Sequence, residues 1–202
     1  MEELSAIRFN GPFQWNHSDQ SKTGRTSPDF GELANCMGVY LWTVEVDGKE
    51  LIHYVGHTSQ NFRKRHQQHC SEFVRGNYGI YDAEDLKGGV RTPRFRGIWN
   101  VKGDAKKQVK SQFIRHKPDF LAMVGPYLDT LKVWVAPLSD PILSRRLETA
   151  IFEKIIKEKN CRSHSLLPSM ESHTFYHSTA SKVLVKLEIP VNFDCLTEQI
   201  NI

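Results

Sequence analysis

The feature that most constrains this chain is the stretch 38–56. Two runs, GVYLWTVEV and KELIHYVG, are dense in β-branched and aromatic residues and meet at Asp47-Gly48. Asp-Gly between such runs is a strong short-range hairpin signal. After His57-Thr58-Ser59 a helix is expected, capped by Ser59 or Asn61. Phe62, Arg65, His66 and His69 would share one face of that helix. Two tyrosines, an arginine and two histidines therefore fall within a single hairpin-plus-helix unit.

Further along, LKVWVAPL (131–138) reads as a third strand. Asp140-Pro141 then opens a long helix that ends near Asn160 and buries a stripe of Leu143, Leu147, Ala150, Ile151 and Ile155. Residues 105–124 read as another helix, broken or bent at Pro118. Residues 75–105, rich in glycine, arginine and aromatics, read as an irregular insertion. Residues 1–35 are turn-rich and are expected to form a loose arm. Beyond 160 the tail is polar, with one strand candidate at Lys182–Ile189. The fold class is α/β of the α+β kind: a small, mainly antiparallel three-stranded sheet flanked by helices. The division is an arm at 1–35, a core domain at 36–162 with a basic insertion at about 75–117, and an extension at 163–202.

No run approaches the length needed to span a bilayer, and MEELSAIRFNG lacks a leader's pattern of basic then apolar residues. A cytoplasmic protein with no membrane partner is expected. The four cysteines, Cys36, Cys70, Cys161 and Cys195, form no Cys-x-x-Cys pair and are expected to be reduced. Net charge is only +4, but its distribution is uneven. Between His57 and Lys117 there are fourteen Lys and Arg against five Asp and Glu, while the rest of the chain carries thirteen against eighteen. That segment could bind a polyanion or be a solvated basic loop.

In order along the chain stand Gly38-Val39-Tyr40, Tyr54-Val55-Gly56, Arg65-x3-His69, Glu148 on a late helix, and Asn160. This set resembles the GIY-YIG nuclease superfamily, with valines at 39 and 55 where isoleucine is usual and a hairpin slightly longer than is common. The match covers roughly 36–70 and 130–162. The twelve-residue step from Glu148 to Asn160 is similar to that in restriction enzymes of the family. The resemblance implies metal-dependent hydrolysis of phosphodiesters in double-stranded DNA, most simply by a type II restriction-type endonuclease. A repair or mobile-element nuclease, or a DNA-binding module that does not cut, are the alternatives.

The residue types suit that chemistry. A divalent metal held by one carboxylate supplies Lewis acidity and orientation, and magnesium, with manganese as a substitute, prefers oxygen ligands. Glu148 would be the ligand; pairing with Arg145 or Arg146 is the structural alternative. Arg65 would stabilise phosphoryl charge, with Arg63 as a rival. Tyr40 would accept a proton or orient the attacking water, its pKa lowered by Arg65 and the metal. Tyr54 would hydrogen-bond the phosphate or nucleophile, His69 would assist proton transfer (with His66 a weaker competitor), and Asn160 would orient a loop or phosphate.

A shared site also requires both phenols on one face of the sheet. A plain two-residue loop at Asp47-Gly48 would put them on opposite faces. A three-residue loop with Gly48 at positive φ, or a bulge of equal effect, would bring them together.

Candidate DNA contacts are Arg63, Arg91, Arg94, Arg96, Lys106, Lys107 and Lys110. Phe95 and Trp99 could either stack on bases or pin the insertion to the core. A palindromic target would favour a two-fold homodimer. Cys161, His164, His173 and His177 have zinc-like spacing but little finger-like context.

Overall fold

The computed structural model describes residues 6–15, 27–158, 160–167 and 183–202. In chain order the strands are β1 (Ile7–Arg8), β2 (Asn10–Gln14), β3 (Gly38–Val46), β4 (Lys49–Thr58), β5 (Ile80–Tyr81), β6 (Pro93–Phe95), β7 (Lys132–Pro137), β8 (Leu184–Glu188) and β9 (Gln199–Asn201). The helices are α1 (Phe62–Val74), α2 (Ala83–Lys87), α3 (Asp104–Arg115), α4 (Lys117–Asp129), α5 (Pro141–Lys157) and α6 (Ser163–Leu166). Among the described residues no helix is long and apolar enough to cross a membrane.

The α+β class holds, but the central sheet has four strands, in the order β2-β7-β3-β4, all antiparallel. The fourth comes from the segment expected to be a loose arm. Its turn-rich FNGPF conceals apolar residues that need burial: Ile7, Phe9 and Trp15 all lie in the core. Pro12 is tolerated because β2 is an edge strand, where a missing N–H breaks no ladder. A second sheet, β1-β8-β9, draws the C-terminal segment into the same body.

The sheet separates two cores. On one face Tyr40, Trp42, Val44 and Leu51 pack with Phe62, Phe73, Phe95, Phe120 and Tyr127 from α1, β6 and α4. On the other, Val39, Leu41, Ile52 and Val55 pack with Leu147, Ile151 and Ile155 of α5 and with Val185, Leu187 and Ile200 of the second sheet. The strict alternation along β3 thus assigns Tyr40 to the first core and its valine neighbour to the second.

The hairpin register differs from the three-residue loop. Val46 pairs with Lys49 across a two-residue turn, with Asp47 at φ 52° and Gly48 at φ 71°. The pairing then shifts between Trp42 and Thr43: Trp42 faces Tyr54 while Thr43 faces Ile52, so His53 is the extra residue of a bulge. Tyr40 lies opposite Gly56 rather than opposite Tyr54. The bulge still returns both phenols to one face, and it adds His53 to that face.

The insertion is not irregular. It forms the β5–β6 pair, α2 and α3, and the break or bend expected at Pro118 is a break, at His116 between α3 and α4. Phe95 anchors it, its ring 4.6 Å from Phe120 and 5.5 Å from Phe113. The cysteine expectation also fails in part: Cys161 and Cys195 are joined in a disulfide, while Cys36 and Cys70 are free. Cys161 is therefore not a zinc thiolate; His164 is exposed, and His173 and His177 lie outside the described residues.

Candidate active site

Asn61 starts α1 by accepting a hydrogen bond from Lys64 N at 2.7 Å. The helix then lays Phe62, His66 and His69 against the tyrosine-bearing face of the hairpin, all buried. Arg65, one turn before His69, points along the same face and is half-buried.

A hydrogen-bonded chain results. Arg65 Nε donates to Tyr40 Oη at 3.1 Å, and Tyr40 Oη lies 2.7 Å from His69 Nε2. Arg65 can only donate, so the phenol oxygen accepts that bond, which leaves its own proton able to point to Nε2. His69 then carries its proton on Nδ1 and donates to Tyr78 Oη at 3.2 Å. The Tyr54 ring stacks 6.0 Å from Tyr40 at 27°.

His66 is settled in the same way. Its Nδ1 faces the Phe62 carbonyl at 2.9 Å and its Nε2 accepts from Trp42 Nε1 at 3.2 Å. Burial pushes its pKa down to about 3, the bond to the Phe62 carbonyl opposing this and the charge of Arg65 adding to it. It is a neutral core histidine rather than a rival for His69.

Gly56 makes this packing possible. A Cβ there would sit 2.4 Å from Tyr40 Cζ and 2.5 Å from Oη. The phenol lies across the bare glycine backbone, and no other residue leaves that room.

Electrostatics corrects the expectation for Tyr40. Burial raises its pKa well above the usual phenol range, and the neighbouring Tyr54 adds to this. Arg65 pulls the other way, by charge and hydrogen bond, without prevailing. Tyr40 therefore holds its proton in the free protein. His69 is driven well below the ordinary imidazole range, first by burial and then by the charge of Arg65, and is neutral. Burial opposes the charge of Arg65, but its phenol partners outweigh that and keep it cationic.

Glu148 approaches from α5, on the opposite face. Its Oε2 lies 2.6 Å from His57 Nδ1, and His57 Nε2 accepts from Arg145 Nε at 3.3 Å. So the partner of Glu148 is His57, with Arg145 acting only through the ring. His57 donates from Nδ1 and fixes the carboxylate. The carboxylate is also near enough to raise the pKa of Tyr54 by its charge, although burial is the larger cause and Arg65 opposes both. Tyr40, Tyr54, Arg65 and His69 therefore converge, and Glu148 stands within electrostatic reach of Tyr54.

Asn160 is exposed in the turn after α5, beyond the last helical residue Lys157. The following residues bind the hairpin tip, where Ile52 N donates to Ser163 Oγ at 2.9 Å and Arg162 pairs with Asp47.

The donor set at Glu148 fits a magnesium-like ion. Such an ion takes one or two carboxylates and keeps several waters, and its ligand carboxylates are oriented by hydrogen-bonding neighbours. Glu148 would hold it and His57 would orient Glu148. The one group of three ligating side chains among the described residues is Cys161, Asp194 and Cys195. Its two sulfurs are bonded to each other, which removes it as a metal site.

The basic residues divide. Arg63, Arg96, Lys106, Lys107 and Lys110 are exposed, and Arg94 is exposed but bonded twice to Asp82 Oδ2, at 2.5 and 2.8 Å. Arg91 turns inward: it donates to the Leu167 carbonyl at 2.6 Å and to Tyr81 Oη, with its guanidinium carbon 4.2 Å from the Tyr81 ring centroid. It is a structural residue and leaves the set of free DNA contacts.

Sequence reasoning missed His57 and Tyr78. His57 directly follows Tyr54-Val55-Gly56, and alternation along β4 could have placed it on the face of α5. Tyr78 carries no such signal, because a loop brings it to His69. Comparison with protein-family models, curated proteins and solved structures returned no match.

Proposed function

We propose that this protein is a metal-dependent endonuclease that hydrolyses phosphodiester bonds in double-stranded DNA. The observation that carries this reading is the chain Arg65–Tyr40–His69, flanked by Tyr54 and by a carboxylate that His57 holds in place. Three roles of phosphodiester cleavage find residues there. Water attacking phosphorus must lose a proton. Tyr40 Oη can take it while passing its own to His69 Nε2, so the phenol relays rather than becoming a stable phenolate. Burial disfavours the imidazolium that forms, and the negative charge growing on the phosphoryl group offsets this cost. Arg65 offers planar N–H donors to that charge. Magnesium or manganese on Glu148 would supply Lewis acidity and orientation when bound.

A type II restriction-type role is the form we propose, acting on a palindromic site as a homodimer. Digestion of a long DNA of known sequence reads site specificity: discrete fragments support this form and a smear overturns it.

The deciding experiment incubates supercoiled plasmid with the protein and magnesium, beside EDTA and Glu148→Ala controls. Nicked or linear product in the first arm alone is expected. The complete burial of Tyr40 favours a second reading, a DNA-binding module that does not cut. Salt-sensitive binding with no magnesium-dependent nicking would establish that reading instead.

A further inference from the structure

Beside the tyrosine–histidine chain lies a cavity of about 400 Å³. It shares Tyr54 and His69 with that chain, and the rest of its wall is unusual. Trp42, Phe73, Tyr78, Tyr81 and Tyr127 give it aromatic surface on several sides, and Trp99 and Asn100 stand at its exposed edge. The bulge in β4 adds His53, whose Nε2 lies 2.8 Å from Tyr127 Oη. Arg91 lies over Tyr81 in the same wall.

Most of these rings are held in place. Tyr127 is fully packed, Tyr78 is bonded to His69, and Tyr81 is bonded to Arg91. Trp99 is the exception. It is 55% exposed, with its ring centroid 5.5 Å from Tyr78 at 78°. Its exposed indole stands at the mouth of the cavity, where it is free to stack on an occupant.

We propose that this cavity receives a nucleobase extruded from the DNA duplex. This rests on the phosphodiester reading of the neighbouring site. Three features select that occupant. Flat rings suit a flat heterocycle, which gains by stacking whatever its sequence. The phenol, amide and imidazole groups in the wall can meet the polar edge of a base, as extruded bases are met elsewhere, while Arg91 holds Tyr81 in place. Sharing Tyr54 and His69 puts a base in the cavity next to a backbone phosphate at Tyr40 and Arg65. Exposed Lys106, Lys107 and Lys110 on α3, which packs against the Ile98–Asn100 turn, would hold the flanking backbone.

The test is metal-free and does not depend on cleavage. The four deoxynucleoside 5′-monophosphates and deoxyribose 5-phosphate are titrated into the protein, with the fluorescence of Trp42 and Trp99 as readout. At least one nucleotide is expected to bind tenfold or more tighter than the base-less sugar phosphate. Trp99→Ala is expected to remove most of that difference, and Trp99→Phe to retain it; the exposed position makes both variants tolerable to the fold. A second arm compares a paired duplex with the same duplex carrying one mispair. Opening a mispair costs less, so tighter binding of the mispaired duplex is expected, abolished by Trp99→Ala.

Equal binding of nucleotides and sugar phosphate overturns the cavity as a base site. Nucleotide binding with no preference for the mispair assigns it to a free nucleotide and overturns extrusion. The two readings fail separately. Absence of magnesium-dependent cleavage with base-dependent binding intact would remove the nuclease reading alone.

Discussion

Replacing Gly56 with alanine probes the geometry on which the site depends, and its sign is informative. Gly56 does not have positive φ, so alanine is compatible with its backbone. At such a position the change normally stabilises by about 0.4–1 kcal/mol, because the unfolded chain loses freedom. Here the new methyl would stand 2.4 Å from Tyr40 Cζ, far inside van der Waals contact. Tyr40 cannot simply retreat, since His66 lies 4.8 Å and His69 5.6 Å from its ring centroid. Overpacking costs about 1–3 kcal/mol. Displacing Oη also breaks the 2.7 and 3.1 Å bonds inside a buried site, adding about 1–3 kcal/mol.

A net loss of ~2–5 kcal/mol is expected, read from urea midpoints at constant slope, together with loss of cleavage. Gly48→Ala is the matched control. Gly48 has φ 71° with no atom within 4 Å of the new methyl, so it should lose only about 1 kcal/mol of backbone strain and keep activity. A Gly56→Ala protein as stable as the parent, with cleavage intact, would refute the placement of Tyr40 over the glycine and the site built on it.

Other outcomes follow from the same geometry. Arg65→Lys keeps a positive charge but loses the planar fork and the Nε bond to Tyr40, and single-turnover cleavage should fall about 100-fold, with a stability loss of no more than about 1–3 kcal/mol for the buried bond. His53 and His66 have folded pKa values of about 3, and that of His69 is also depressed. The unfolded chain therefore binds protons that the folded one refuses. Stability should be full above pH ~6.5 and fall as the pH drops from there toward ~3, with a slope of up to about 1.4 kcal/mol per unit for each histidine. Equal urea midpoints at pH 7.5 and pH 5 would contradict this. Replacing Lys106, Lys107 and Lys110 together by alanine should flatten the salt dependence of DNA binding, by about 0.9 in log–log slope for each phosphate no longer neutralised. An unchanged slope would place the DNA elsewhere.

Local signals explain how much of the molecule was legible from its sequence. Asp47-Gly48 between two β-rich runs sufficed for the hairpin, Asn61 and Asp140 for two helix starts, and the stripe from Leu147 to Ile155 for the buried face of α5. The order Tyr40, Tyr54, Arg65, His69 named four side chains that do meet. The Ile7–Gln14 strands were hidden because Asn10, Gly11 and Pro12 give a turn-like pattern, while the partners that order them, β8 for β1 and β7 for β2, lie more than a hundred residues away. Asn160 matched a spacing, but a spacing holds no information on where a chain turns after a helix ends.

Alternation and capping act between neighbours, so the chain by itself determined which residues face the same way along β3, α1 and α5. Which of those faces meet was decided only by tertiary packing. The bulge at His53, the bare backbone of Gly56 beneath Tyr40, the grip of His57 on Glu148 and the aromatic cavity beside them all arise where distant segments compete for one volume. Steric exclusion among such segments does not exist until the chain has closed on itself.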